Sequence, residues 1–227
     1  MLLGTLVVGA AYGGITYFQW RAALDANRIS RENVTAVQRA FVYLDLEGLK
    51  INTFTQPHRP SEISFVRFYP RWRNSGMTPT VGATDYVNLL VRDAPISKGF
   101  DFPDLAVRKD GPPVTILYPP QAAQPAHILD IQRDDFLAVQ ERIRREETRS
   151  ATTPQSTPGR YAYFYGWVRY RDVFEDTTPH VTMFCYEVTG IRTVPPTAAT
   201  PPPTNLALTL SLCAEHNCTD KQCEVHQ

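Results

Sequence analysis

Residues 161–170 read Tyr-Ala-Tyr-Phe-Tyr-Gly-Trp-Val-Arg-Tyr, and residues 181–188 read Val-Thr-Met-Phe-Cys-Tyr-Glu-Val. Both runs are rich in the aromatic and β-branched side chains that favour strands, and side chains in a strand alternate between two faces. Similar runs, separated by Pro and Gly, occupy residues 40–46, 63–72, 84–91, 114–118 and 206–212. Seven such runs with few helical segments between them predict a mainly β domain. The expected architecture is an antiparallel sandwich.

One insertion in this pattern favours a helix. Residues 134–148 begin with Asp134, which is suited to cap a helix, and Phe136, Val139 and Ile143 follow at helical spacing. The charged side chains of this helix are expected on its exposed face: Arg142, Arg144, Arg145, Glu146 and Glu147. Four Pro-rich, polar segments are expected to be surface loops: residues 52–60, 97–113, 151–159 and 194–204.

Length and charge exclude some classes of protein. The chain has 227 residues, with 23 Lys+Arg against 23 Asp+Glu. That length suits one large domain or two small ones and excludes a large multidomain enzyme. The charge balance excludes the broad basic surface used to bind duplex nucleic acid, so no nucleic-acid partner is expected.

The first 20 residues contain no charged side chain. A helix of that length is about 30 Å long, which matches the hydrocarbon core of a bilayer. Tyr17, Phe18 and Trp20, followed by Arg21, suit a membrane–water interface. Residues 1–20 are therefore predicted to be a single transmembrane helix, with a cleaved signal peptide as the alternative.

Residues 21–38 contain neither Pro nor Gly and predict a helical stalk that continues the anchor. Gly9 and Gly13 would let a second copy of the anchor approach closely, which would give a homo-oligomer. Basic residues follow the anchor at four positions: Arg21, Arg28, Arg31 and Arg39. This asymmetry predicts a single-pass protein of the bacterial cell membrane with a cytoplasmic domain, and a periplasmic domain is the alternative.

The predicted sandwich spans residues 39–213, and a Cys/His-containing tail follows at residues 214–227. Four side chains in the tail are candidate zinc ligands: His216, Cys218, Cys223 and His226. Only four residues separate the two Cys/His pairs, which is shorter than the usual arms of a zinc site. Two alternatives stay open, namely free thiols and a disulfide within the tail or to Cys185. A disulfide would require an oxidising compartment.

The sequence lacks the common catalytic motifs. It contains no Gly-rich phosphate loop, no Gly-x-Ser-x-Gly and no His-Glu-x-x-His. His58, His127 and His180 lie in or beside Pro-containing segments without a visible catalytic partner. No catalytic residue and no cofactor are therefore predicted, apart from the zinc alternative.

Four motifs carry a resemblance to a known group: Arg39-Ala40-Phe41-Val42, Asn74-Ser75-Gly76-Met77-Thr78-Pro79, Gly166-Trp167-Val168-x-Tyr170-x-Asp172-x-Phe174 and His180-Val181-Thr182-Met183-Phe184-Cys185. Through them, residues from roughly 36 to 190 resemble uncharacterised bacterial membrane-anchored proteins. The resemblance implies a short N-terminal anchor followed by an immunoglobulin-like or fibronectin-like sandwich. It implies no activity and no functional residues.

These observations predict a non-catalytic, membrane-anchored interaction or accessory module, such as a subunit of a membrane protein complex. The expected partners are the membrane and a protein of unknown identity. Two other functions stay open, namely a metal-dependent enzyme that uses the Cys/His tail and a structural spacer of the cell envelope. Because the functional prediction rests on fold analogy, it needs support from a site.

Overall fold

The structure is a computed structural model. It describes residues 2–46, 49–102, 117–119, 122–123, 127–149, 158–174, 177–194 and 205–223. The chain divides into two compact units, Met1–Arg39 and Ala40–Gln227.

The first unit is one α-helix, α1 (Leu2–Gln38), so the predicted anchor and stalk form a continuous helix that includes Gly9 and Gly13. Its side chains are described from Thr16 onward, and from Arg21 charged residues recur along the helix. Within the part of the chain that the structure describes, no helix is both long and apolar enough to cross a membrane. The anchor at residues 1–20 therefore stays a prediction from the sequence.

The second unit is mainly β and its strand pairs are antiparallel, which confirms that part of the fold prediction. Its described strands are β1 (Val42–Leu44), β2 (Lys50–Gln56), β3 (Arg59–Tyr69), β4 (Trp72–Asn74), β5 (Val81–Arg92), β6 (Ala122–Ala123), β7 (Leu129–Gln132), β8 (Tyr161–Arg171), β9 (His180–Val194), β10 (Asn205–Leu212) and β11 (Cys218–Thr219). Helix α2 (Arg133–Thr148) follows β7, and a short 3-10 helix (Asp220–Gln222) follows β11.

The described strands form three sheets with the orders β10-β9-β8-β5, β2-β3-β7 and β1-β4-β6, and β11 adds to β9. Strand β10 lies against β2, and β5 lies against β7, so the two larger sheets neighbour each other at both edges. Apolar side chains from both sheets share one core, for example Val66 and Phe68 of β3 with Val87 of β5. The finer assignment to the immunoglobulin-like class stays a prediction.

Strand β8 separates two hydrophobic clusters. Ala162, Phe164 and Val168 point into the main core. The alternate residues of the strand lie in a second cluster with Tyr86, Phe102 and Cys185: Tyr161, Tyr163, Tyr165 and Trp167. The period of two residues thus gives this strand two buried faces, and the second face carries the candidate site.

The prediction that residues 52–60 form a surface loop is wrong. Strand β2 continues to Gln56 and β3 begins at Arg59, so only Pro57 and His58 form the turn between them. One side of this strand faces solvent and carries polar residues such as Asn52, so its sequence resembles that of a loop.

The strand expected at residues 114–118 lies mostly outside the described residues, and Leu117 and Tyr118 are not in a strand. Much of the other three expected loops also lies outside the described residues.

The predicted helical insertion is confirmed as α2. Its apolar stripe of Phe136, Val139 and Ile143 is buried in the main core. The expected cap is wrong, because Gln132 occupies the N-cap position and Asp134 lies inside the first turn. The expected exposure of Arg142 is also wrong, since only 1% of its surface is accessible.

Candidate functional site

A cavity of about 530 Å³ opens beside the disulfide between Cys185 and Cys213. It is lined by residues 95–98 and Phe102, by residues 212–216, and by Tyr163 of β8 and Glu187 of β9. We call it the Glu187 cavity. Its volume falls in the range of small-ligand sites, roughly 300–1,000 Å³.

The β8–β9 pairing places the carboxyl group of Glu187 next to aromatic side chains at this cavity. Tyr163 and Glu187 are directly opposite each other in the β8–β9 pair, and Tyr165 is opposite Cys185. All four therefore project from the same face of the sheet. Glu187 is the only charged residue in the run 181–188.

A buried arginine of α2 lies next to Glu187. The Nη1 of Arg142 donates to Oε2 of Glu146 at 2.8 Å, and its Nη2 donates to the carbonyl oxygen of Val188 at 2.9 Å. Its guanidinium lies 4.2 Å from the ring centroid of Tyr161. Arg142 is buried because these acceptors and this ring replace water around its charge. Its Nη1 is 3.4 Å from Oε1 of Glu187, which is a longer contact than either hydrogen bond.

Burial changes the acid–base properties of the cavity. It raises the pKa of Glu187 above the usual value for a glutamate, while the charge of Arg142 acts in the opposite direction. Burial also raises the pKa of Tyr163 to about 12, so this hydroxyl keeps its proton at neutral pH. The hydroxyl accepts a hydrogen bond from the backbone N–H of Ile96 at 3.2 Å. The cavity thus presents a partly desolvated carboxylate beside a neutral phenol.

Hydrogen bonds tie together the two chain segments that line the cavity. The backbone N–H of Gly99 donates to Oε2 of Glu215 at 2.6 Å, and Nε2 of His216 donates to the carbonyl oxygen of Phe100 at 2.9 Å. The backbone N–H of Cys213 donates to the carbonyl oxygen of Cys185 at 3.0 Å, next to the disulfide. The opening therefore has a preformed shape, which lowers the ordering cost of binding.

A second polar group surrounds His180. Its Nε2 is 2.7 Å from Oδ2 of Asp172, and its Nδ1 is 3.1 Å from the carboxylate of Asp220. The other oxygen of Asp172 accepts from the backbone N–H of Ala40 at 2.8 Å. Tyr170 also holds Ala40, because its hydroxyl donates to the carbonyl oxygen at 3.3 Å. We call these five residues the His180 cluster.

The His180 cluster gathers residues from three of the four motifs quoted above, namely Ala40, Tyr170 with Asp172, and His180. Both ring nitrogens of His180 are engaged by carboxylates, and the ring is buried. Neither nitrogen is therefore open to a substrate. The geometry fits a structural role, in which the cluster fastens the first residues of the β unit.

The structure does not assemble the four candidate zinc ligands. Cys218 and Cys223 form a disulfide with Cα atoms 5.2 Å apart, so neither offers a thiolate. His216 binds the Phe100 carbonyl oxygen, and His226 lies outside the described residues. Among the residues that are described, no group of three or more His, Cys, Asp or Glu side chains could hold a metal ion.

The cysteines settle one open question about the tail. All four are in disulfides, so the interpretation as free thiols is wrong and the disulfide alternative is confirmed. The segment expected to be a separate tail is part of the β unit, because its β11 pairs with β9. The disulfide between Cys185 and Cys213 also links β9 covalently to residues 212–216, which line the Glu187 cavity.

Sequence reasoning missed the Glu187 cavity. The lone acid in the apolar run 181–188 is a signal that could have singled out Glu187. Arg142, by contrast, lies in a run of charged residues and resembles its solvent-exposed neighbours. Its acceptor Val188 is 46 residues away, a distance at which no local pattern reports contact.

Fold and site together define a mainly β, disulfide-bonded unit with one open acidic–aromatic cavity and one closed histidine cluster. Comparisons of the chain with protein families, with characterised proteins and with solved structures find no match. Any statement about function therefore rests on the geometry described above.

Proposed function

We propose that the protein is a non-catalytic, membrane-anchored interaction module, an accessory subunit of a membrane protein complex, and that its partner binds at the Glu187 cavity. The observation that carries this proposal is the preformed opening of about 530 Å³ beside Cys213. It combines apolar walls, such as Ile96 and Phe102, with the polar group of Glu187. Such a combination is typical of a binding site.

The His180 cluster supports binding rather than catalysis. His180 is the buried histidine of the described chain, and its ring nitrogens are both occupied by carboxylates. A general base needs a nitrogen within hydrogen-bond reach of the substrate. Because His180 meets its own protein partners at both positions, the cluster is better suited to stability than to proton transfer.

We place the β unit in the periplasm. Two disulfides, Cys185–Cys213 and Cys218–Cys223, favour an oxidising compartment. The basic residues after the proposed anchor favour the cytoplasm, but the rule behind that expectation has exceptions when a large domain follows. Because cytosolic thiols are kept reduced, we give the disulfides more weight than the basic residues and propose the periplasmic orientation.

The membrane anchor is proposed from the sequence of residues 1–20. Tyr17, Phe18 and Trp20 support it, because they are exposed on α1 immediately before Arg21. Gly9 and Gly13 support self-association of the anchor.

We also propose that the two larger sheets belong to the immunoglobulin-like or fibronectin-like class, an idea supported by their shared core.

Site-specific photo-crosslinking in cells tests the binding proposal. A photoreactive amino acid at Leu212, which is exposed and lines the cavity, is expected to capture a discrete protein partner. The matched control is the same amino acid at Asn52, which is exposed on β2 in another sheet. Identical products at both positions, or none at Leu212, would contradict the proposal.

A further inference from the structure

We infer that the Glu187 cavity binds a cationic group, an ammonium or a guanidinium, carried on an apolar body, with Glu187 as its counter-ion. This inference rests on the proposed function, since it specifies the chemistry of the partner at the same cavity. It follows from the unused acceptor capacity of Glu187, from the charge of the lining side chains and from the apolar walls.

The first argument is that Arg142, which lies beside Glu187, forms its short hydrogen bonds with other acceptors. The short hydrogen bonds of Arg142, at 2.8 and 2.9 Å, go to Glu146 and to the Val188 carbonyl oxygen. Its contact with Glu187 is longer, at 3.4 Å. An ionised carboxylate offers about four acceptor positions. Tyr163 also forms a hydrogen bond with Glu187. Arg142 and Tyr163 together leave part of this acceptor capacity unused, and 25% of the Glu187 side chain is accessible.

The second argument is the sign of the charge. Among the described side chains that line the cavity, Glu187 and Glu215 are acidic and Lys98 is basic. The charge of Arg142 is matched by its hydrogen-bond partner Glu146. The described side chains that line the opening are therefore net negative, and a desolvated setting strengthens attraction for a cation.

The third argument is the shape and polarity of the walls. Ile96, Phe102 and Leu212 supply apolar surface around the carboxylate. A hydrated inorganic ion would leave that surface uncovered, whereas an alkyl or aromatic group attached to the cation would bury it. The same chemistry has two sources, namely a Lys or Arg side chain of a partner protein and a free amphipathic amine.

Binding of small probes to the purified full-length protein in detergent tests the inference. Isothermal titration would compare phenethylamine, 2-phenylethanol and 3-phenylpropionate, which share a body and differ in charge. We expect phenethylamine to bind about tenfold more tightly than the alcohol, the gain typical of a charge-assisted hydrogen bond, and 3-phenylpropionate to bind most weakly. Equal or tighter binding of 3-phenylpropionate would overturn the inference.

A pair of matched variants assigns the effect to one carboxylate. Glu187→Gln is expected to lower the affinity for phenethylamine to that for 2-phenylethanol. The control Glu141→Gln makes the same change on the exposed face of α2, where Glu141 pairs with Arg144, and is expected to leave affinity unchanged. An unchanged affinity in Glu187→Gln would overturn the inference. If that variant does not fold, the three probes on the wild-type protein still decide the result.

A fourth probe, acetyl-Phe-Lys-amide, distinguishes the two sources of the cation. Binding of this peptide supports a lysine of a partner protein, and binding of phenethylamine alone supports a free amine. Binding of neither overturns the inference. A specific crosslink at Leu212 without any amine binding would remove this inference and leave the proposed function standing. Amine binding without a crosslink at Leu212 would leave this inference standing and remove the proposed function.

Discussion

The Glu187 cavity and the His180 cluster each place carboxylates in a partly or fully buried setting, and each adjoins a disulfide. In the His180 cluster, the bond between Cys218 and Cys223 closes the short loop that presents Asp220 to the histidine. At the cavity, the bond between Cys185 and Cys213 joins β9 to the segment that lines the opening. The two regions therefore use similar groups and similar covalent support.

They differ in how far their polar groups are satisfied. In the His180 cluster, protein partners occupy both nitrogens of His180 and both oxygens of Asp172. At the cavity, Glu187 has a long contact with Arg142 and a hydrogen bond with Tyr163, and 25% of its side chain remains accessible. A saturated polar network stabilises one conformation, whereas an accessible, incompletely paired group is available to a ligand. This difference is why we assign stability to the first region and binding to the second.

Removal of one carboxylate from each region should produce the largest contrast in stability. Asp172→Ala removes the partner of the His180 Nε2 and of the Ala40 N–H, so we expect a loss of about 3–5 kcal/mol, as for breaking a buried pair. Glu187→Ala should have a much smaller effect, because Arg142 retains its two short hydrogen bonds. Urea unfolding of both variants and of the wild type measures the loss in the free energy of unfolding. Equal losses would remove the distinction between the regions.

The two disulfides offer the next contrast. Loop-closure entropy predicts a stabilisation of about 3.5 kcal/mol for Cys185–Cys213, with a separation of 28 residues, and about 2 kcal/mol for Cys218–Cys223, with a separation of 5. Replacing each pair by Ser should lower stability in that order. Only the first replacement should also weaken phenethylamine binding. Weaker binding after loss of Cys218–Cys223 alone would show that the regions are coupled.

The smallest expected effect concerns pH. Burial raises the pKa of Glu187 in the folded protein above its usual value of about 4.3, so the folded state holds this proton more tightly than the unfolded state. The associated stability is present at low pH and is lost as pH rises from about 4.3 through the raised pKa. Wild-type stability should therefore fall relative to Glu187→Gln between acidic and neutral pH. Unfolding curves that show a relative gain instead would contradict the raised pKa.

Much of the fold could be predicted from local pattern. Residues 161–170 and 181–188 became strands because aromatic and β-branched residues suit a pleated surface. Phe136, Val139 and Ile143 predicted α2, since their spacing matches one face of a helix. Strand β2 was missed because a half-exposed strand carries polar residues such as Asn52, which also occur in loops.

The site was harder to predict because it depends on contacts between distant parts of the chain. The number of cysteines allowed disulfides, but the pairing of Cys185 with Cys213 depends on where β9 and β10 bring them. Likewise, His180 stands beside a Pro in the sequence and gave no sign of Asp172 and Asp220 as partners. Tertiary structure alone joins these groups.

The state of the cysteines in cells tests the central claim most directly, because the wall of the cavity and the compartment of the domain both depend on it. Intact cells would be treated with a membrane-impermeant maleimide, using wild-type protein and a Thr209→Cys variant with an added thiol on exposed β10. We expect no labelling of the wild type without reductant and four labels after denaturation and reduction, with the added cysteine labelled in intact cells. Native thiols that react without reductant after lysis, or an added cysteine that reacts only after permeabilisation, would contradict the account.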